Sequence, residues 1–113
     1  MPTGVYVISV AARLLDMHPQ TLRKYERAGF ITPDRTLGML RLYSEEEIRR
    51  LRHIKYLIEE MDLNLAGVDL VLRLAEKLRD VREGVVEGAL KSTALAKALD
   101  ETLEILGVPE PQE

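Results

Sequence analysis

The segment Pro19-Gln20-Thr21-Leu22-Arg23-Lys24-Tyr25-Glu26-Arg27 gathers hydrogen-bonding and cationic side chains into one short stretch. Gln, Thr, Arg and Lys match the donors and acceptors that base pairs display in a DNA major groove, which is wide enough to admit a helix. A helix N-terminus adds free N–H groups and the positive end of a dipole, both suited to phosphate. On a helix in this register Leu22 faces inward, while Gln20, Thr21, Arg23, Lys24 and Arg27 lie largely outward. Tyr25 can donate its hydroxyl to a phosphate or sit half-buried, and a solvated polar face accounts for the stretch equally well when it is read alone. Downstream, Arg35 and the run Arg41-Leu42-Tyr43-Ser44 add cations and a second tyrosine. Long basic side chains on a hairpin reach a phosphate or an adjacent minor groove that a helix cannot. Tyr43 also suits the core at the base of such a hairpin, with its hydroxyl left outward.

Other chemistries fit less well. The 113 residues contain no cysteine, which removes disulfides, thiol nucleophiles and thiolate metal sites. Two histidines, His18 and His53, are too few for a metal site without that support, so neither a metal nor a cofactor is expected. The acids cluster where helix capping and dipole effects already account for them, as at Glu45, Glu46 and Glu47, so an enzyme is not expected. No apolar run approaches the roughly 18 to 20 residues of a spanning helix, and the first residues carry no basic leader. A cytoplasmic protein without a membrane partner is the expectation.

The net charge of −3 hides an asymmetry: residues 1–56 carry ten Lys and Arg against six acids, or +4, and the remainder carries −7. Fields act over about a Debye length, roughly 8 Å at physiological salt, so a basic front half can meet phosphate within an acidic whole.

The elements that must position these residues follow from periodicity and punctuation. Ser9 stands where a helix N-cap would, and Val10, Ala11, Leu14 and Leu15 recur at helical spacing as far as Asp16-Met17-His18. Pro19 opens a second helix that runs to about Ala28 and is stopped by Gly29, with His18 in the turn or helping to cap it. Two short helices about three residues apart match helix-turn-helix spacing. Residues 30–43 read as a two-stranded hairpin, or wing, with Gly38 at its tip. Ser44 and Glu47 form a capping box for a third helix, whose stripe is Ile48, Leu51, Ile54, Ile58 and Met61. A further helix from about Leu65 has two apolar sides, Val68, Val71, Leu72, Ala75 and Leu78 on one and Leu70, Leu74, Val81 and Val85 on the other. That excess implies a partner, and Leu70, Leu74, Leu78, Val81 and Val85 are the candidate dimerisation residues. Gly84 and Gly88 weaken the case for one continuous rod. Leu95, Leu99, Leu103 and Leu106 resume the period before Gly107, and Pro109 to Glu113 read as a polar tail.

The order Val7-Ile8-Ser9-Val10-Ala11, His18 through Ile31, Pro33 to Arg35 and Arg41-Leu42-Tyr43-Ser44 resembles the DNA-binding domain of the MerR family of bacterial winged-helix regulators, over residues 5 to about 75. The His18-Pro19-Gln20-Thr21-Leu22-Arg23 string, Arg35-Thr36 and Asn64-Leu65-Ala66-Gly67-Val68 are most similar to its heat-shock repressor (HspR) branch. The resemblance implies a mainly α fold: a winged helix-turn-helix domain with a small β-hairpin wing over 1–75, then C-terminal dimerisation helices over 76–113. It implies groove and backbone contacts for Ser9, Arg13, Gln20, Thr21, Arg23, Lys24 and Tyr25, and wing contacts for Arg35, Arg41 and Tyr43. It also implies a homodimeric repressor of chaperone genes on double-stranded DNA carrying an inverted-repeat operator, with a DnaK-type chaperone as co-repressor in some members. The alternatives are a regulator of another stress regulon, an excisionase-like architectural protein, or a helical adaptor with no affinity for DNA.

Overall fold

The computed structural model describes residues 5–35, 38, 40–88 and 91–108. Its elements are β1 (Tyr6–Val7), α1 (Ile8–Leu15), α2 (Pro19–Arg27), β2 (Asp34–Arg35), β3 (Arg41–Tyr43), α3 (Glu45–Glu59), α4 (Leu65–Val86) and α5 (Ser92–Ile105). They form two compact units that divide between Asp62 and Leu63.

In the first unit the expected hairpin gains a strand. β3 is central, with β1 and β2 antiparallel on either side of it, Tyr6 opposite Tyr43 and Arg35 opposite Arg41. The pairing of β1 also moves the start of α1. Val7 is still extended and forms the N-cap without a side-chain hydrogen bond, so Ser9 is an exposed second residue of the helix and not its cap. Thr36, Leu37 and Met39, around the expected hairpin tip, lie outside the described residues.

The core of this unit is built by one face from each helix. Ala11, Ala12 and Leu15 come from α1, Leu22 and Tyr25 from α2, and Ile48, Leu51, Ile54 and Leu57 from α3, with Phe30, Ile31 and Tyr43 between them in sequence. The stripe on α3 advances in threes to Leu57; Ile58 is half-buried and Met61 exposed, where the sequence suggested both would lie in the stripe. The helix starts as expected. The Ser44 hydroxyl accepts from the Glu47 N–H at 3.0 Å, and the Glu47 carboxylate accepts from the Ser44 N–H at 3.1 Å. The C-terminus of α1 is finished from α3: Lys55 Nζ donates to the carbonyls of Leu15 at 2.9 Å and Asp16 at 3.3 Å, a cation where helix carbonyls lack partners.

In the second unit Asn64 caps α4, its side-chain oxygen accepting from the Gly67 N–H at 2.9 Å. The helix passes through Gly84, whose cost of about 1 kcal/mol a long helix absorbs, and ends at Val86, so there is no single continuous rod, as the two glycines Gly84 and Gly88 suggest. Gly88, at φ +68°, is where the chain turns out of the helix. α5 packs on α4, and Lys77 of α4 meets Glu101 of α5 at 3.3 Å. Among the described residues no helix is long and apolar enough to cross a membrane.

Replacing Ser44 by Ala is expected to cost about 1 kcal/mol of stability through the lost cap, whereas Ile54→Ala, at a fully buried position, should cost roughly 2–5 kcal/mol. Urea unfolding followed by circular dichroism measures both, and equal losses would contradict this assignment of cap and core.

Candidate nucleic-acid interface

The geometry of α2 is set at both ends. At its start the His18 Nδ1 accepts from the Gln20 N–H at 3.0 Å, and Pro19 occupies the first turn, where no intrahelical N–H partner is needed. At its end the Gly29 N–H donates to the Glu26 carbonyl and the Phe30 N–H to the Tyr25 carbonyl, each at 3.0 Å. This is a Schellman closure, with Gly29 at φ +82° supplying the left-handed residue. The same closure folds Phe30 back onto Tyr25, with ring centroids 6.3 Å apart. Arg50 of α3 then donates to the Phe30 carbonyl at 2.5 Å, fixing the turn from outside.

Leu22 and Tyr25 are buried, so the opposite side of α2 is committed to solvent. Gln20, Arg23, Lys24 and Arg27 stand at i, i+3, i+4 and i+7 and make one continuous face, with Thr21 on its shoulder. Gln20, Lys24 and Arg27 are exposed; Thr21 and Arg23 are half-buried. Arg27, outward-facing but not among the expected contact residues, belongs to this face by its spacing. On α1, Ser9 and Arg13 are both exposed.

The wing is tied to α2 through Glu26. Arg35 Nη2 of β2 donates to Glu26 Oε2 at 2.5 Å, and Arg41 Nε of β3 donates to Glu26 Oε1. Burial pushes the Glu26 carboxyl up, but the two arginines outweigh it and hold the group below the usual carboxylate range, so it is ionised at neutral pH. One carboxylate thus bridges two guanidiniums from different strands. Arg41 engages Glu26 through its Nε.

The rings of both tyrosines expected to reach DNA, Tyr25 and Tyr43, are buried in the core. Tyr43 is 0% exposed, and its hydroxyl is buried without a hydrogen-bond partner among the described residues, which corrects its assignment as a wing contact. It pairs with Tyr6 across the sheet, next to the half-buried Leu42. Tyr25 keeps 5% of its surface, and its buried ring supports α2 from below. Burial raises both phenols above their ordinary range, with Glu59 adding to the effect at Tyr25.

Elsewhere in this unit an open groove of about 530 Å³ is lined by Leu14, Leu15, Asp16, Arg52, Lys55, Tyr56, Glu59 and Glu60. Among the described residues no cluster of His, Cys, Asp and Glu could hold a metal ion.

A basic helix held at both ends beside a small antiparallel wing is the arrangement of a winged helix-turn-helix domain. Residues 6–75 match the family model described as "MerR HTH family regulatory protein". The chain belongs to the MerR family. Among MerR-family and other curated relatives, it is 43% identical over 98 residues to the heat shock protein HspR of Streptomyces coelicolor, an alignment covering 87% of this chain and 60% of that protein. It is 30% identical over 106 residues to the transcriptional regulator GlnR of Bacillus anthracis, covering 91% of this chain and 80% of the relative. The mercuric resistance operon regulatory protein of Serratia marcescens is 29% identical over 104 residues, covering 80% and 72%.

Removing the orphaned hydroxyl tests the reassignment of Tyr43. Tyr43→Phe is expected to unfold at the same or a higher urea concentration than the parent, because a buried unsatisfied polar group is a cost of about 1–3 kcal/mol. A loss above about 1 kcal/mol would mean that the hydroxyl has a partner in solution.

Proposed function

We propose that this MerR-family chain is a sequence-specific DNA-binding transcriptional repressor of heat-shock and chaperone genes, acting as a homodimer on an inverted-repeat operator. The observation that carries the proposal is the face of Gln20, Arg23, Lys24 and Arg27 on α2, held outward by buried Leu22 and Tyr25 and flanked by Arg35 and Arg41 of the wing. Gln20, Thr21, Arg23 and Lys24 read the major groove, Ser9 and Arg13 reach backbone phosphates from α1, and Arg35 and Arg41 reach them from the wing. The similarity to HspR of Streptomyces coelicolor supports the heat-shock assignment. A DnaK-type chaperone as co-repressor, and residence on the nucleoid in the bacterial cytoplasm, extend the same reading. Binding and release then constitute the activity, with no catalysis.

The dimer is supported by α4 and α5. Leu78 and Val85 are 52% and 54% exposed, and Val86, Leu99, Leu103 and Leu106 are exposed as well. Leu70, Leu74 and Val81 are half-buried beside them in sequence. Apolar surface of this extent on one helix pair favours a second copy over water. Two-fold symmetry would then place half-sites whole helical turns apart, about 34 to 36 Å or a multiple.

Selection of bound sequences from a pool of random duplexes is expected to return an inverted repeat with that spacing. Affinity for the recovered duplex should fall steeply and linearly in log–log form with salt. Arg23→Ala is expected to weaken it by roughly 1–3 kcal/mol if the contact is to a base. Recovery of no common sequence, or binding indifferent to salt, would replace this reading with a protein-interaction adaptor.

A further inference from the structure

Glu26 is the one acid in α2, and it stands at the edge of the face that the proposed function lays against DNA. A carboxylate there repels every phosphate it approaches, whatever the sequence of the duplex. Its position is nevertheless over-determined. The side chain is only 20% exposed, and both of its oxygens are engaged, Oε2 by Arg35 of β2 and Oε1 by Arg41 of β3. Arg35 and Arg41 are directly opposite one another in the β2–β3 register, an arrangement of like charges that is unfavourable without a counterion. Glu26 serves both arginines as a counterion, and it comes from α2 and not from the wing.

We propose, on the reading of the chain as a DNA-binding regulator, that Glu26 is a positioning residue that determines specificity by locking the two wing strands to α2. With the lock in place, the guanidiniums of Arg35 and Arg41 can meet phosphates only where α2 also sits in register in the groove. Phosphate contacts of this kind carry no base information of their own; they fix the orientation from which the helix reads. Without the lock the same cations remain, so attraction to arbitrary duplex persists or grows while the joint fit of helix and wing is lost. Glu26 thus weakens binding to DNA in general and strengthens binding to the correct site.

The test compares two duplexes at several salt concentrations: one recovered by the parent protein from a random pool, the other a shuffled duplex of the same length and composition. Glu26→Gln, nearly isosteric and uncharged, is expected to bind the recovered duplex about tenfold or more weakly and the shuffled one equally or more tightly. Glu26→Asp keeps the charge but shortens the reach by one methylene. It should lose affinity for the recovered duplex with no gain on the shuffled one, and it serves alone if the Gln variant does not fold. A merely structural role would reduce both affinities in proportion to the fraction folded, leaving their ratio unchanged, and that result or an unaltered parent-like ratio overturns the proposal. Failure of the underlying reading is separate and visible first: the parent protein would recover no common sequence and show no salt dependence.

Discussion

A nine-residue helix does not persist alone in water, because its nucleation cost exceeds what so few hydrogen bonds return. α2 therefore depends on the burial of Leu22 and Tyr25 against the first unit's core, and everything the helix presents outward depends on that anchoring. The two residues lie three apart and leave an arc on the far side on which Gln20, Arg23, Lys24 and Arg27 necessarily fall. The ends are then fixed by elements distant in sequence. Gly29 folds Phe30 onto Tyr25, and Arg50 of α3 holds the Phe30 carbonyl.

Charge is distributed by the same logic. A chain of net charge −3 can present a positive surface if its acids are spent on caps, turns and the second half. Glu47 caps α3, while Glu45 accepts the Tyr6 hydroxyl and so ties the first strand to that helix. Glu26 is the exception, since it takes two arginines of the candidate surface as partners. Two guanidiniums on one carboxylate gain a defined geometry, which suits a surface that must hold a register on its partner.

Much of this was legible in the chain. The proline start and glycine stop of α2, the Ser44–Glu47 box and the inward Leu22 are local signals, and local signals survive into the fold. What was not legible depended on partners far along the sequence. The pairing of Tyr6–Val7 with β3 moved the start of α1 and left Ser9 exposed; no periodicity within a two-residue strand announces such a pairing. Tyr43 looked equally suited to core or contact, and the cross-strand register decided for the core. Of the pair Gly84 and Gly88, only Gly88 stands at the point where the rod ends, because it is the one that takes the left-handed conformation, while Gly84 is absorbed by the helix around it. Glu26 was readable as an acid within a basic stretch, but its role emerges only when the wing folds back onto the helix.

The central claim is that the outward face of α2 and the wing arginines form one surface that meets duplex DNA. The most direct measurement is residue-resolved NMR of the intact protein titrated with a duplex selected from a random pool. The account predicts that the largest shifts fall on Gln20, Thr21, Arg23, Lys24, Arg27, Arg35 and Arg41 together, with the groove around Tyr56 and Glu59 unmoved. Shifts concentrated on that groove or on α4 and α5, with α2 silent, would contradict it.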